Sequence, residues 1–173
     1  MKNVMRAIDA DLDNLTTIDF PVAVLCKKDG VRALVRDGDD AVLRCYSRTN
    51  KPHRNPHIQN LFARPEYKDF DSEGIVGADN DPLVSYKSSG GFSRGKDNLK
   101  EGKFIKVDAV LHVFDLIDHP GTYEERHAEA TRRVELLLDD DRTLPICMIP
   151  YEIANNAKEL EAIEERCRQL DPE

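Results

Sequence analysis

No stretch of the sequence approaches the roughly 20 consecutive apolar residues that a membrane-spanning helix needs. The first residues, MKNVMRAIDADLDN, also lack the apolar run of a secretory signal. A soluble, intracellular protein is the expectation. There is no C-x-x-C pair either: Cys26, Cys45, Cys147 and Cys167 are scattered singly. That argues against a zinc site and against a disulfide framework, and favours buried or inert thiols. A basic excess is missing as well. With 33 acidic residues against 25 Lys and Arg, the formal net charge of -8 excludes a protein that coats nucleic acid by bulk charge, so any such contact has to be local. Internal repeats and low-complexity linkers are absent, and 173 residues with 40% hydrophobic content suffice to fill one core. The chain reads as one continuous domain.

What is present is unevenly distributed. Residues 44–54, RCYSRTNKPHR, carry Arg44, Arg48, Lys51 and Arg54 without an acid, whereas residues 124–173 are rich in Glu and Asp. Only the first segment is suited to meet phosphate. The β-branched runs PVAVLCK (21–27) and VRALVR (31–36) are separated by Lys28, Asp29 and Gly30, and Asp-Gly is the commonest tight-hairpin signal. With a third run from Ala41 to Tyr46, an antiparallel meander is expected. A short helix follows Pro56, where Ile58, Leu61 and Phe62 fall at helical spacing. Strands are expected near Phe70 to Val76 and over 104–117, FIKVDAVLHVFDLI, the latter as a long central strand. The windows YEERHAEATRRVELLL and NNAKELEAIEERCRQL read as helices, with LPICMIP as a short buried strand between them. The fold class is therefore α+β, antiparallel sheets flanked by helices.

The hexapeptide Lys27-Lys28-Asp29-Gly30-Val31-Arg32 has the form K-x-D-G-x-R. A lysine at a strand end just before a tight turn projects its amine into a cleft, and Arg32 is expected to return on the neighbouring strand. To attack phosphorus the amine has to be neutral, yet an ordinary lysine, with a pKa of about 10.4, is almost wholly protonated at pH 7. Burial and nearby cations such as Arg32 would disfavour the ammonium form. Asp29 is read as closing the turn.

Four further segments follow in order: Ser47-Arg48-Thr49 with Lys51-Pro52 and Asn55, Asp71-Ser72-Glu73, Val113-Phe114-Asp115-Leu116, and Tyr123-Glu124-Glu125-Arg126. Together with K-x-D-G-x-R, and with the stretch Ile149 to Asn156, they resemble the motifs of the covalent nucleotidyltransferases, most of all the small viral ATP-dependent DNA ligases. The resemblance spans residues 21–170. It implies the ATP-grasp-like fold shared by DNA ligases and mRNA capping nucleotidyltransferases, with residues 1–173 forming one nucleotidyltransferase (adenylation) domain. It implies that Lys27 takes AMP from ATP, that Arg32, Glu73 and Phe114 bind the nucleotide, and that Phe114 stacks on the purine. Arg48 and Lys51 would contact phosphate or DNA, Glu73 would also reach the metal shell, and Arg126 would brace the fold. ATP, Mg²⁺ or Mn²⁺, and nicked duplex DNA are the implied cofactors and partner, for a monomer.

The sequence departs from the family in several places. Ser72 replaces the glycine of D-G-E, and Leu25 stands where many ligases place a carboxylate that reads the adenine amino group. The fourth motif, E-G-[VI]-[VM]-x-[RK], the fifth, K-x-K, and the following OB-fold domain do not appear within these 173 residues. A chain lacking them is expected to transfer AMP poorly or not at all. Two other readings stay open: an RNA ligase or GTP-using capping enzyme, and a nucleotide- or DNA-binding domain without catalysis.

Overall fold

The computed structural model describes residues 18–78, 81–93 and 106–170. They fall into two compact units, one built from residues 18–27 and 149–170 and one from the described residues between 28 and 148.

In the second unit, the strand-forming runs become β2 (Val31–Asp37), β3 (Leu43–Tyr46), β4 (Phe70–Val76), β5 (Ala109–Leu116) and β6 (Ile146–Met148). They form one sheet in the order β3-β2-β4-β5-β6. The first three pairings are antiparallel, but β6 runs parallel to β5. The purely antiparallel expectation fails there for a topological reason. The chain leaves β5, crosses through the 18-residue helix α3 (Tyr123–Asp140) and re-enters in the same direction, and a parallel neighbour requires a crossover of this kind.

Helix α1 (Pro56–Phe62) begins where the buried Asn55 accepts a hydrogen bond from the His57 amide, with proline in its first turn. Helix α3 starts in a capping box: the Thr122 hydroxyl accepts from the Glu125 amide, and Glu125 accepts from the Thr122 amide. Helix α2 (Val84–Ser93) was not expected from the sequence, because its serines and glycines give a weak helical signal. It forms because Val84 and Phe92 are buried against the sheet, and tertiary packing outweighs local propensity. Strand β5 is also shorter than the 104–117 run, since Lys106 to Asp108 are not extended into the ladder and residues 104–105 lie outside the described residues.

Alternation divides the residues of this sheet between two faces. One bears Ala33, Val35, Leu111, Val113 and Ile146, which form a single core with Ile58, Phe62, Phe92, Ala130 and Val134 of the helices. The other bears Arg32, Glu73, His112 and Cys147. Gly74 lies on the core face, where the Phe92 ring fills the space a Cβ would need.

The first unit pairs β1 (Val22–Leu25) antiparallel with β7 (Tyr151–Ala154), and α4 (Ala157–Leu170) follows β7. This overturns the expected meander. The Asp-Gly sequence does not close a hairpin; β1 finds its partner from the far end of the chain, and β2 belongs to a different sheet. Physically, β1 gains a matched ladder from Val22↔Ala154 to Leu25↔Tyr151, a long-range pairing that a local turn signal cannot report. Asn155 and Asn156 cap α4 through Glu159, with the Asn155 amide donating to Glu159 Oε2 and the Glu159 amide to Asn156 Oδ1. A two-stranded ribbon is marginal on its own, and here it is fastened by a disulfide between Cys26 and Cys167, 141 residues apart with Cα atoms 5.2 Å apart. The reading of four single thiols is thus corrected. Cys spacing in sequence carries no information about a pairing created by the β1–β7 ladder and the helix that follows it. Cys45 is a buried free thiol, as expected, and burial pushes it up to about 12.

Gly74→Ala is expected to push a methyl group into the Phe92 ring and destabilise the protein by about 1–3 kcal/mol. Urea unfolding checks this, and the double variant Gly74→Ala, Phe92→Leu should recover part of the loss.

Candidate nucleotide site

The strand registers place four side chains in one row across the polar face of the sheet. Arg32 on β2 pairs with Glu73 on β4, Glu73 pairs with His112 on β5, and His112 pairs with Cys147 on β6. Directly opposed residues of neighbouring strands carry Cβ atoms about 5 Å apart, so each side chain is within reach of the next. Phe114 joins them through a bulge. Asp71 pairs with Asp115 and Ser72 with Val113, which leaves Phe114 as the extra residue of β5. A bulge re-aims a side chain, and this one brings the ring under the Arg32 guanidinium, 5.0 Å from its centroid.

Arg32 is held from a second side. Its Nε donates to Asp71 Oδ1 at 2.6 Å and its Nη2 to Asp71 Oδ2, a bidentate pair at side-chain exposures of 16% and 4%. Burial pushes the Asp71 carboxyl from its ordinary 3.8 up to about 6; Arg32 pulls the other way, and Asp115 adds to the rise. A parallel pair sits beside it, with Arg126 Nε donating to Asp115 Oδ1 at 2.8 Å and Nη2 to Oδ2 at 3.0 Å. Arg126 comes from the first turn of α3 and also donates to the Gly121 carbonyl at 3.0 Å. It therefore ties α3 to the end of β5, which agrees with the bracing role expected from sequence. Ser72 is fully buried and donates its hydroxyl to the Ala33 carbonyl at 2.7 Å, a cross-strand bond on the core face.

Lys27 is exposed and belongs to the first unit, two residues beyond β1, whereas Arg32, Glu73 and Phe114 belong to the second. The burial expected to help keep its amine neutral is not a property of the chain alone. Arg32, likewise, does not return on a strand paired with the one that carries Lys27. Arg48 and Lys51 are exposed on the turn from Ser47 to Pro52 rather than on the sheet face. That turn is fixed by the Ser47 amide donating to the Lys51 carbonyl at 2.8 Å, the Asn50 amide donating to Ser47 at 2.9 Å, and Asn50 at φ 58°. Asn55, the last residue of that motif, is wholly buried; its Nδ2 donates to the Gly91 carbonyl at 2.7 Å. It anchors α1 to the end of α2 and leaves the basic turn facing outward. His112 and Cys147 were not singled out from the sequence, because only the β-register reveals them as neighbours of Glu73.

Among the described residues, no group of three or more His, Cys, Asp or Glu side chains could hold a metal ion. No helix of the described chain is long and apolar enough to cross a membrane.

The five-stranded mixed sheet, with helices on one face and a row of polar and aromatic side chains on the other, makes an α+β architecture. Solved structures of ATP-dependent DNA ligases share it. Chlorella virus DNA ligase-adenylate superposes with a TM-score of 0.64 at 20% identity, covering 91% of this chain and 54% of that one. The ATP-dependent DNA ligase from bacteriophage T7, in complex with ATP, gives 0.62 at 15% identity, covering 91% of this chain and 55% of that one. The chain thus spans about half the length of the ligases it matches. No family model matches the sequence, and no curated protein matches it. The expected α+β class and the expected likeness to the DNA ligase fold are both borne out.

Replacing Arg32 with Met would leave Asp71 buried beside Asp115 without its partner. The Asp71 pKa, already above its unfolded value, should rise further. A raised carboxyl is most favourable in its protonated form, so stability is lost as pH climbs through that pKa. Arg32→Met is expected to cost about 3 kcal/mol at pH 8 and distinctly less at pH 5, where Asp71 holds a proton. Thermal unfolding across this pH range checks both the size and the sign.

Proposed function

We propose that this chain is the adenylation part of an ATP-dependent DNA ligase. Carrying that reading is the juxtaposition of Arg32, Glu73 and Phe114 on one face of a ligase-like sheet, directly downstream of Lys27. The adenine stacks on Phe114, as bases do on aromatic rings with about 1–3 kcal/mol each. For this the Arg32 guanidinium moves off the ring and onto the nucleotide, its planar fork being suited to phosphate or sugar oxygens. Glu73, a carboxylate in the next register position, accepts hydrogen bonds from the sugar.

Lys27 supplies the nucleophile. Its uncharged amine attacks the α-phosphorus, a P–N bond forms, the P–O bond to pyrophosphate breaks, and the amine proton leaves to solvent. Because Lys27 is exposed, the bound triphosphate and the closing of the site around it have to exclude water and make the neutral amine available. AMP then passes from the lysine to a 5′-phosphate of a DNA nick, and the adjacent 3′-hydroxyl displaces AMP as the phosphodiester forms. The exposed Arg48 and Lys51 offer local positive charge to the nick, which a chain of net charge -8 needs at that place. A divalent cation, Mg²⁺ or Mn²⁺, would arrive with ATP, coordinated chiefly by phosphate oxygens and water.

Incubation with ATP labelled on the α-phosphate and Mg²⁺ tests the reading. Label is expected on Lys27, stable to base and released by acid as a phosphoramidate should be. Lys27→Arg should lose all label while its stability stays within about 0.5 kcal/mol, the residue being exposed. GTP should give no label. Label retained in Lys27→Arg would sink the assignment.

Phe114→Leu keeps an apolar side chain at the bulge but removes the ring. It should weaken ATP binding roughly tenfold, measured by calorimetry alongside a melting curve.

A further inference from the structure

Lys27 follows directly on Cys26, and Cys26 is bonded to Cys167 near the end of α4. The β1–β7 ladder ends one residue before this bond, at Leu25↔Tyr151. On α4 the most deeply buried residue is Ile163, at 4% exposure, and Cys167 stands one turn further along the same face. From Glu164 to Gln169 no residue is buried. Arg166 does reach β7, donating to Glu152 Oε2 at 2.5 Å, but both side chains are more than half exposed, and such pairs contribute little. The disulfide is therefore what fastens the last turns of α4 to the chain at residue 26. Cys26 and Cys167 are themselves only half-buried, so a small thiol reagent can reach the bond.

We propose that the Cys26–Cys167 bond is a redox switch on Lys27, which accepts AMP readily while the bond is intact and slowly once a dithiol has opened it. In the exchange, a thiolate of the dithiol attacks one sulfur, the S–S bond breaks, and the other cysteine leaves as a thiolate. The second thiol of the reagent then displaces the first cysteine, so that two electrons and two protons pass to Cys26 and Cys167 and the reagent leaves as a cyclic disulfide. Opening the bond removes a tether one residue before the nucleophile. Attack on phosphorus tolerates little misplacement, about 1 Å being enough to slow a reaction on the order of 100-fold. The opened chain therefore presents the amine correctly in only a fraction of its conformers. Cys26 and Cys167 act through Lys27 and are positioning residues.

The inference rests on the reading of Lys27 as the residue that takes AMP, and adds its regulation. Transfer of α-phosphate label from ATP to the full chain, before and after treatment with dithiothreitol, tests it. Thiol titration of the unfolded chain should count two free cysteines before treatment, Cys45 and Cys147, and four after it. On reduction the single-turnover rate of labelling should fall roughly tenfold while the affinity for ATP changes by less than about twofold, and reoxidation should restore the rate. Cys167→Ser should label at the reduced rate with or without the dithiol. Melting curves establish that each form is folded at the assay temperature, where a bond serving stability alone would leave the labelling rate unchanged. Without any nucleotide, hydrogen exchange should quicken on reduction at residues 22–27 and 163–169 and stay unaltered in β4 and β5. Four free thiols in the untreated protein, equal labelling rates in the two states, or unaltered exchange at residues 22–27 overturns this proposal alone. Label in neither state overturns the assignment of Lys27 and this proposal with it.

Discussion

The Arg32–Asp71 pair is the constraint on which the polar face depends. A carboxylate at 4% exposure is costly unless a cation meets it in good geometry, and Arg32 meets it with two parallel hydrogen bonds. Fixing the guanidinium in this way also sets it over Phe114 and in register with Glu73. Charge compensation at Asp71 and the alignment of Arg32, Glu73 and Phe114 are thus one set of contacts. The neighbouring Arg126–Asp115 pair repeats the device one strand along and anchors the long helix. Two acids side by side on β4 and β5 would otherwise repel, and each has its own arginine.

Much of this was legible in the sequence wherever the signal is local. The helix-forming window from Tyr123 announced α3, Pro56 the start of α1, and a strand was expected near Phe70 to Val76, where β4 lies. The order of the motifs gave the ligase-like fold. What was not legible is long-range. Asp29-Gly30 is a good hairpin signal, but turn chemistry cannot say that β1 has a better partner 126 or more residues away, in the ladder with β7. Helix α2 looked unpromising residue by residue, and only the fit of Phe92 over Gly74 accounts for it. The parallel entry of β6 likewise follows from the α3 crossover, not from any property of Ile146, Cys147 and Met148 themselves.

The site divides along the same line. Lys27, Arg32, Glu73 and Phe114 were found through motif order, and the registers bring the last three together in one unit. The place of His112 beside Glu73 could not be read from a run as apolar as VLHVFDL, in which it looks like an interruption of the strand. Its neighbours are defined by hydrogen-bonding registers with β4 and β6, quantities that exist only once the sheet has formed. Cys147 was read only as a single thiol for the same reason, and the side chain of Asn55, the last residue of the segment that carries Arg48 and Lys51, ties two helix ends together.

The bond between Cys26 and Cys167 has a topological consequence. It closes the polypeptide into a covalent ring that contains the whole of the sheet, from β2 to β6, with only the two tails outside. A single backbone cut anywhere in that ring, for instance in the exposed turn at Arg48, opens the circle without releasing a fragment. Oxidised protein nicked once would therefore keep its full mass until a thiol is added.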